Sequence, residues 1–138
     1  MHTGRCLCGA VHFSASNVES QYHACHCGMC RRWGGSPMFA VPAESVAFSG
    51  TENLARYESS QWAERGFCRL CGSHLFYYLA PAEQYFMAVG TFDDPTPFAL
   101  SREIFVDHKP ADYSFAGDLE RWTETQTLAH FSSNDEDG

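Results

Sequence analysis

The chain has 138 residues, 44% of them hydrophobic and 14% aromatic, which fits one domain with a real core and excludes intrinsic disorder. Nine basic against seventeen acidic residues give a net charge of −8, with Lys109 the single lysine, so the clustered cations of a nucleic-acid-binding surface are missing. The charge is uneven: residues 1–75 hold six arginines and five acids, a net of +1, whereas residues 76–138 hold three basic and twelve acidic groups, a net of −9. An anionic small molecule would therefore favour the first half.

The predicted elements are short strands. Val11 and Phe13 alternate with His12 and Ser14, the period of a half-buried strand. Two brief apolar runs, 38–41 and 46–48, flank Pro42 and Ala43, and Gly50 to Glu52 punctuates before another strand at 54–57. The strongest are LFYYL at 75–79 and YFMAV at 85–89, joined by a loop holding Pro81; EIFV at 103–106 follows. Helical signals are weak: one turn over 28–33, and a short helix capped by Asp118 with Leu119 and Trp122 on one face. From about Thr123 the chain is polar and ends in NDEDG, which reads as a solvated, frayed end. The opening residues carry no apolar targeting core, and no uncharged run approaches the about 20 residues of a membrane span. The expectation is a cytoplasmic protein with no membrane and no nucleic-acid partner. Nothing in the sequence sets its oligomeric state.

Seven cysteines carry the chemistry. The number is odd and no export signal precedes them, so a disulfide framework is the poorer reading. They fall into three tight groups: Cys6 and Cys8; Cys25, Cys27 and Cys30; Cys68 and Cys71. The C-x-x-C at Cys68 and Cys71, followed by Gly72, reads as a zinc knuckle that needs a second pair of thiolates. Cys6 and Cys8 supply it if they lie on an extended strand, where residues i and i+2 share a face. Such a site would staple segments about 60 residues apart. Cys25, Cys27 and Cys30 make an incomplete tetrahedron, the mark of a ligand-accepting zinc. Closure by His23, which shares a face with 25 and 27, is the alternative; His26 would point away. Three thiolates make zinc a weak Lewis acid but a good partner for an incoming thiol. Thiol–carbonyl chemistry, or simple thiol binding, follows.

The runs GRCLCGAVHF at 4–13, CHCGMCR at 25–31, FCRLCGS at 67–73 and VGTFD at 89–93 resemble the glutathione-dependent formaldehyde-activating enzyme family, which includes centromere protein V. The resemblance covers roughly residues 2–122, taken as one zinc-binding domain, with 123–138 as a polar acidic tail. It implies a mainly β fold, a β-tent of small antiparallel sheets with little helix. It implies two zinc ions per chain, a structural one on Cys6, Cys8, Cys68 and Cys71 and an open one on Cys25, Cys27 and Cys30. The founding enzyme is a carbon–sulfur lyase that condenses glutathione with formaldehyde to S-hydroxymethylglutathione. Its second cluster reads C-G-C-x-x-C, whereas His26 stands here for that glycine, and Arg31-Arg32-Trp33-Gly34-Gly35 follows. The implied function is a lyase-like enzyme on a thiol–aldehyde adduct; the alternative is a non-catalytic zinc-dependent binding or scaffold module. Arg31, Arg32, Arg65 and Arg69 are either solvated or able to pair with a tripeptide's carboxylates. His23, His26 and His74 are proton-transfer candidates or structural histidines. Phe76-Tyr77-Tyr78 reads as sheet core.

Overall fold

A computed structural model describes residues 1–137. The strands are β1 (His2–Arg5), β2 (His12–Val18), β3 (Gln21–Cys25), β4 (Met38–Ser49), β5 (Leu54–Glu58), β6 (Ala63–Cys68), β7 (His74–Leu79), β8 (Gln84–Ala88), β9 (Ala99–Ile104) and β10 (Glu120–Arg121). Helix α1 (Gly28–Gly34) follows β3, and α2 (Glu124–Asp137) follows β10. The fold is mainly β, as the sequence led us to expect. The strands are not separate small antiparallel sheets, however. They form one hydrogen-bonded network in the order β10-β9-β3-β4-β8-β7-β6-β5, with β2 paired to β4 and β1 to β2. Two pairings, β3 with β9 and β9 with β10, are parallel.

The two apolar runs around Pro42 are one strand, β4, and it organises the sheet. One edge of β4 takes β3 at residues 38–40 and then β2 at residues 43–49; the other edge takes β8 at residues 40–43. A proline in a central strand normally loses a ladder bond. Here the Pro42 carbonyl accepts from the Glu19 amide at 3.1 Å, so its nitrogen faces the same edge, at the gap where β3 has stopped and β2 begins. The missing N–H therefore falls where no partner strand asks for it.

Successive side chains on a strand point to opposite faces. Val41 and Ala43 of β4, Phe76 of β7 and Met87 of β8 enter one interior together with Val11, Phe13 and Phe92. Ala40, Leu79 and Phe86 turn the other way and pack with Met38, Tyr77 and Phe131. The central strands are thus apolar on both faces, and two interiors form.

The helix expected from Asp118 to Trp122 does not form; its middle residues, Glu120 and Arg121, are strand β10. The Trp122 amide donates to the Glu103 carbonyl, and the Trp122 carbonyl accepts from the Val106 amide, both at 2.9 Å, so this backbone is committed to the edge of β9. The Arg102 guanidinium lies 3.8 Å from the Trp122 ring centroid and holds it there. The helix begins one residue later, at a reciprocal cap: the Gln126 amide donates to Thr123 Oγ1 at 3.3 Å and the Thr123 amide to Gln126 Oε1 at 2.9 Å. The stretch expected to be frayed is therefore helical, and Thr127 is fully buried, donating to the Thr123 carbonyl at 2.8 Å. Side chains beyond residue 131 lie outside the described residues.

In β6, Gly66 lies under the fully buried Phe76 ring; a Cβ there would come within 2.2 Å of it. Gly66→Ala is expected to lower stability by about 2 kcal/mol through overpacking. An unshifted urea midpoint would refute this account of the packing.

Candidate metal centres and the cavity between strands and helix

Cys6 and Cys8 are not on a strand. β1 ends at Arg5, and both cysteines sit in the turn that follows. The Gly9 amide donates to the Cys6 carbonyl at 3.2 Å, and Gly9 takes φ of +81°, so the chain doubles back. The sulfurs converge because of this turn, at 3.7 Å, not because of strand alternation. The second pair is built alike. The Gly72 amide donates to the Cys68 carbonyl at 2.8 Å, with φ of +78° at Gly72. The two turns face each other, and Cys8 Sγ lies 3.8 Å from Cys68 Sγ. The Leu7 amide donates to Ser73 Oγ at 3.0 Å and ties one turn to the other.

All four sulfurs lie within 4.8 Å of one another. A tetrahedron with zinc–sulfur bonds of about 2.3 Å has sulfur–sulfur edges of about 3.8 Å, so this donor set fits such an ion. The surroundings favour the thiolate at Cys6 and Cys71, whereas burial and the neighbouring sulfurs raise Cys8. The Val11 amide donates to Cys6 Sγ at 3.3 Å. The hydroxyl and amide of Ser73, with the Cys8 amide, pull the Cys71 thiol down to about 5.

Cys25 ends β3, and Cys27 and Cys30 bracket the start of α1; these three sulfurs also lie within 4.8 Å of one another. Cys27 caps the helix, its sulfur accepting from the Cys30 amide at 3.3 Å. Hydrogen bonds from the Cys25 and Cys30 thiols pull Cys27 down to about 2, while hydrogen bonding to Cys27 and Cys30, with burial, pushes Cys25 well above the usual thiol range. Among the described residues no histidine, aspartate or glutamate joins these three sulfurs as a fourth donor; His23 lines the same cavity but is outside the group.

Arg65 gives an independent sign that the cluster is anionic. Its side chain is only 3% exposed, lies 5.2 Å from the Trp33 ring and 5.0 Å from the Tyr77 ring, and points Nη1 and Nη2 at Cys30 Sγ from 3.6 and 3.7 Å. Among the described residues no carboxylate pairs with it. A buried guanidinium needs an anion, and the thiolates are the anion at hand. Cysteine spacing does not reveal this residue.

The three-cysteine cluster opens into a cavity of about 850 Å³. Cys25, Met38, Ala40, Tyr77, Leu79, Phe86 and Ile104 line it, as do Leu128 and Phe131 of α2, the Phe131 ring 6.0 Å from that of Phe86. Burial holds the Tyr77 hydroxyl protonated, its pKa pushed up to about 12. Burial and the nearby Arg102 charge depress His23 to about 4, so its ring is neutral at ordinary pH. Of the singled-out arginines, Arg32 is exposed at the cavity, Arg65 is spent on Cys30, Arg31 Nε donates to the His26 carbonyl at 3.0 Å, and Arg69 is exposed beside the second turn. His74 stacks on Trp33 at 3.9 Å and does not line the cavity.

His26 points away from the cluster, as expected, and into a buried polar group the sequence did not disclose. Its Nε2 is 2.9 Å from Glu103 Oε1, and the Arg121 Nε donates to Glu103 Oε2 at 2.9 Å. Tyr113 Oη lies 3.5 Å from His26 Nδ1. Glu103, 1% exposed on β9, thus anchors the segment between Cys25 and Cys27 from behind.

A sequence profile described as "Glutathione-dependent formaldehyde-activating enzyme" matches residues 1–108. A protein of Schizosaccharomyces pombe (strain 972 / ATCC 24843) named as an uncharacterized lyase is 33% identical over 129 residues, spanning 92% of this chain and 94% of the relative. A crystal structure of a Rhodobacter sphaeroides protein superposes with a TM-score of 0.61 at 26% identity, covering 88% of this chain and 99% of that one.

Removing the buried carboxylate should take from His26 and Arg121 the partner they share. Glu103→Ala is expected to cost about 3 kcal/mol. A chemical-denaturation curve superimposable on the parent's would show that Glu103 anchors nothing.

Proposed function

The chain belongs to the glutathione-dependent formaldehyde-activating enzyme family, and on that premise we propose that it is a zinc-dependent carbon–sulfur lyase acting on a thiol–aldehyde adduct, as in glutathione plus formaldehyde giving S-hydroxymethylglutathione. Cys6, Cys8, Cys68 and Cys71 would hold a structural zinc, since their four sulfurs complete a shell between segments far apart in sequence. Cys25, Cys27 and Cys30 would hold the working zinc. The observation that carries the reading is that this second set has three donors, not four, and faces the cavity. Zinc bound there supplies a centre that lowers a thiol's pKa and keeps it as thiolate.

The remaining work falls to the chain's own groups. In the forward direction a sulfur–carbon bond forms, the carbonyl π pair moves onto oxygen, and the proton that left the thiol ends on that oxygen; nothing is oxidised or reduced. Tyr77, kept protonated, is a hydrogen-bond donor for that oxygen. His23, kept neutral in the same cavity, can accept a proton at one ring nitrogen and donate from the other. Arg65 offsets part of the charge of three thiolates from behind Cys30. Arg32, exposed at the cavity, is placed for a carboxylate of a peptide thiol.

Cobalt replacement tests the open position. The thiolate-to-cobalt absorption of the full chain is expected to shift when glutathione is added. Cys27→Ala should stay folded, hold about one metal fewer per chain, and lose the glutathione-dependent part of the shift. Nuclear magnetic resonance exchange between glutathione, formaldehyde and their adduct should run faster with the zinc-loaded protein than without it. A cobalt spectrum unmoved by saturating glutathione would close the site and sink the reading. A shift without accelerated exchange would leave a binding module.

A further inference from the structure

We infer that the carbonyl partner is a large apolar aldehyde, aryl or medium-chain alkyl, whose hydrocarbon part fills the cavity beside the three-cysteine cluster; the inference rests on the reaction class proposed above. The first ground is size. The cavity holds about 850 Å³, towards the upper end of the roughly 300–1,000 Å³ of sites for drug-sized ligands. Formaldehyde contributes a single carbon and would leave that space unfilled.

The second ground is the chemistry of the wall. Leu79, Phe86, Phe105 and Phe131 present hydrocarbon, next to Met38 and Ile104 at the cluster. A glutathione peptide carries two carboxylates and an ammonium group. Pressed against this lining they would lose hydration without gaining partners. The ionic groups of the cavity are few and mostly engaged. Arg65 is aimed at Cys30, and His108 Nε2 faces Glu124 Oε1 at 3.4 Å. Arg32 remains, exposed, so the charged part of the thiol belongs near it and the apolar interior is left to the aldehyde's substituent.

The third ground is independent of the cavity's shape. Large apolar side chains exposed on the described surface are few, and Met29, Trp62 and Leu128 among them, 47%, 53% and 52% exposed, all border this one opening. Exposed apolar groups gathered around a concave site mark a surface that a ligand covers. The two turns of the four-cysteine set also expose Leu7 and Leu70, which do not border this opening.

The test compares aldehydes with glutathione on the zinc-loaded full chain. Adduct formation is followed by nuclear magnetic resonance exchange with formaldehyde, acetaldehyde, octanal and naphthaldehyde. We expect kcat/KM to be about tenfold or more higher for octanal or naphthaldehyde than for formaldehyde. Leu128→Glu, at a half-exposed position on α2, should keep the parent's melting temperature and zinc content while lowering kcat/KM for octanal about tenfold. Formaldehyde turned over as well as, or better than, the large aldehydes would overturn this inference and leave the reaction class standing. Octanal turnover indifferent to Leu128→Glu would overturn it as well. No acceleration with any aldehyde would overturn the reaction class, and this inference with it.

Discussion

Everything in this structure depends on side-chain alternation in strands that are covered on both sides. An ordinary antiparallel sheet keeps one face for the core and gives the other to water. Strands β4, β7 and β8 do not. Val41, Phe76 and Met87 go one way; Ala40, Tyr77 and Phe86 go the other. Each neighbouring pair of residues therefore serves two interiors. One is filled with side chains and bordered by Cys6 and Cys68. The other is kept hollow and bordered by Cys25 and Cys30. The division between a filled interior and a hollow one is the structural counterpart of the division between four sulfurs and three.

Charge follows the same division. The four-cysteine set is steadied by neutral donors, the Val11 amide and the Ser73 hydroxyl, which cost nothing in long-range field. The three-cysteine set has a full cation, Arg65, behind it, wedged between two aromatic rings in a nearly dry place. A guanidinium so placed cannot swing out to meet another anion without breaking both ring contacts. Its field is fixed in direction, and it bears on Cys30 more than on any carboxylate of the fold. Behind the cluster, Glu103 and His26 fix the backbone between the first two sulfurs. The position of that backbone is thus set by His26 and Glu103, which do not line the cavity, and the potential by Arg65, which does.

The grouping of the sulfurs was legible in the sequence because thiols brought together by one turn must be close in number, and the spacings of Cys6–Cys8, Cys25–Cys27–Cys30 and Cys68–Cys71 say so directly. The reason given for the first pair was nevertheless incorrect: a turn ending in Gly9 brings those sulfurs together, because the strand stops at Arg5. Strands dense in aromatics, such as β7 and β8, were also legible, since their composition leaves little choice. β6 was not, because AERGFC carries a glycine and two charges, and what makes it a strand is its pairing with β5 and β7 on either side. Arg65 and Glu103 were illegible for a related reason. Whether a charged residue is buried depends on partners far along the chain, Cys30 for one and His26 for the other. The start of α2 was readable in principle: Thr123-x-x-Gln126 is a capping signature, masked by the acidic, polar residues that follow.

Helix α2 stands outside the ladder of strand-to-strand hydrogen bonds, yet Leu128 and Phe131 line the hollow interior. It is held by its cap, by Thr127 against the Phe105 amide and by the Phe131 ring against Phe86. Substitutions on its inner face can therefore reshape the space beside the cluster without disturbing strand register or moving a sulfur. Such an arrangement separates the wall from the frame: side chains on α2 can change in size and polarity while the cysteine turns keep their shape.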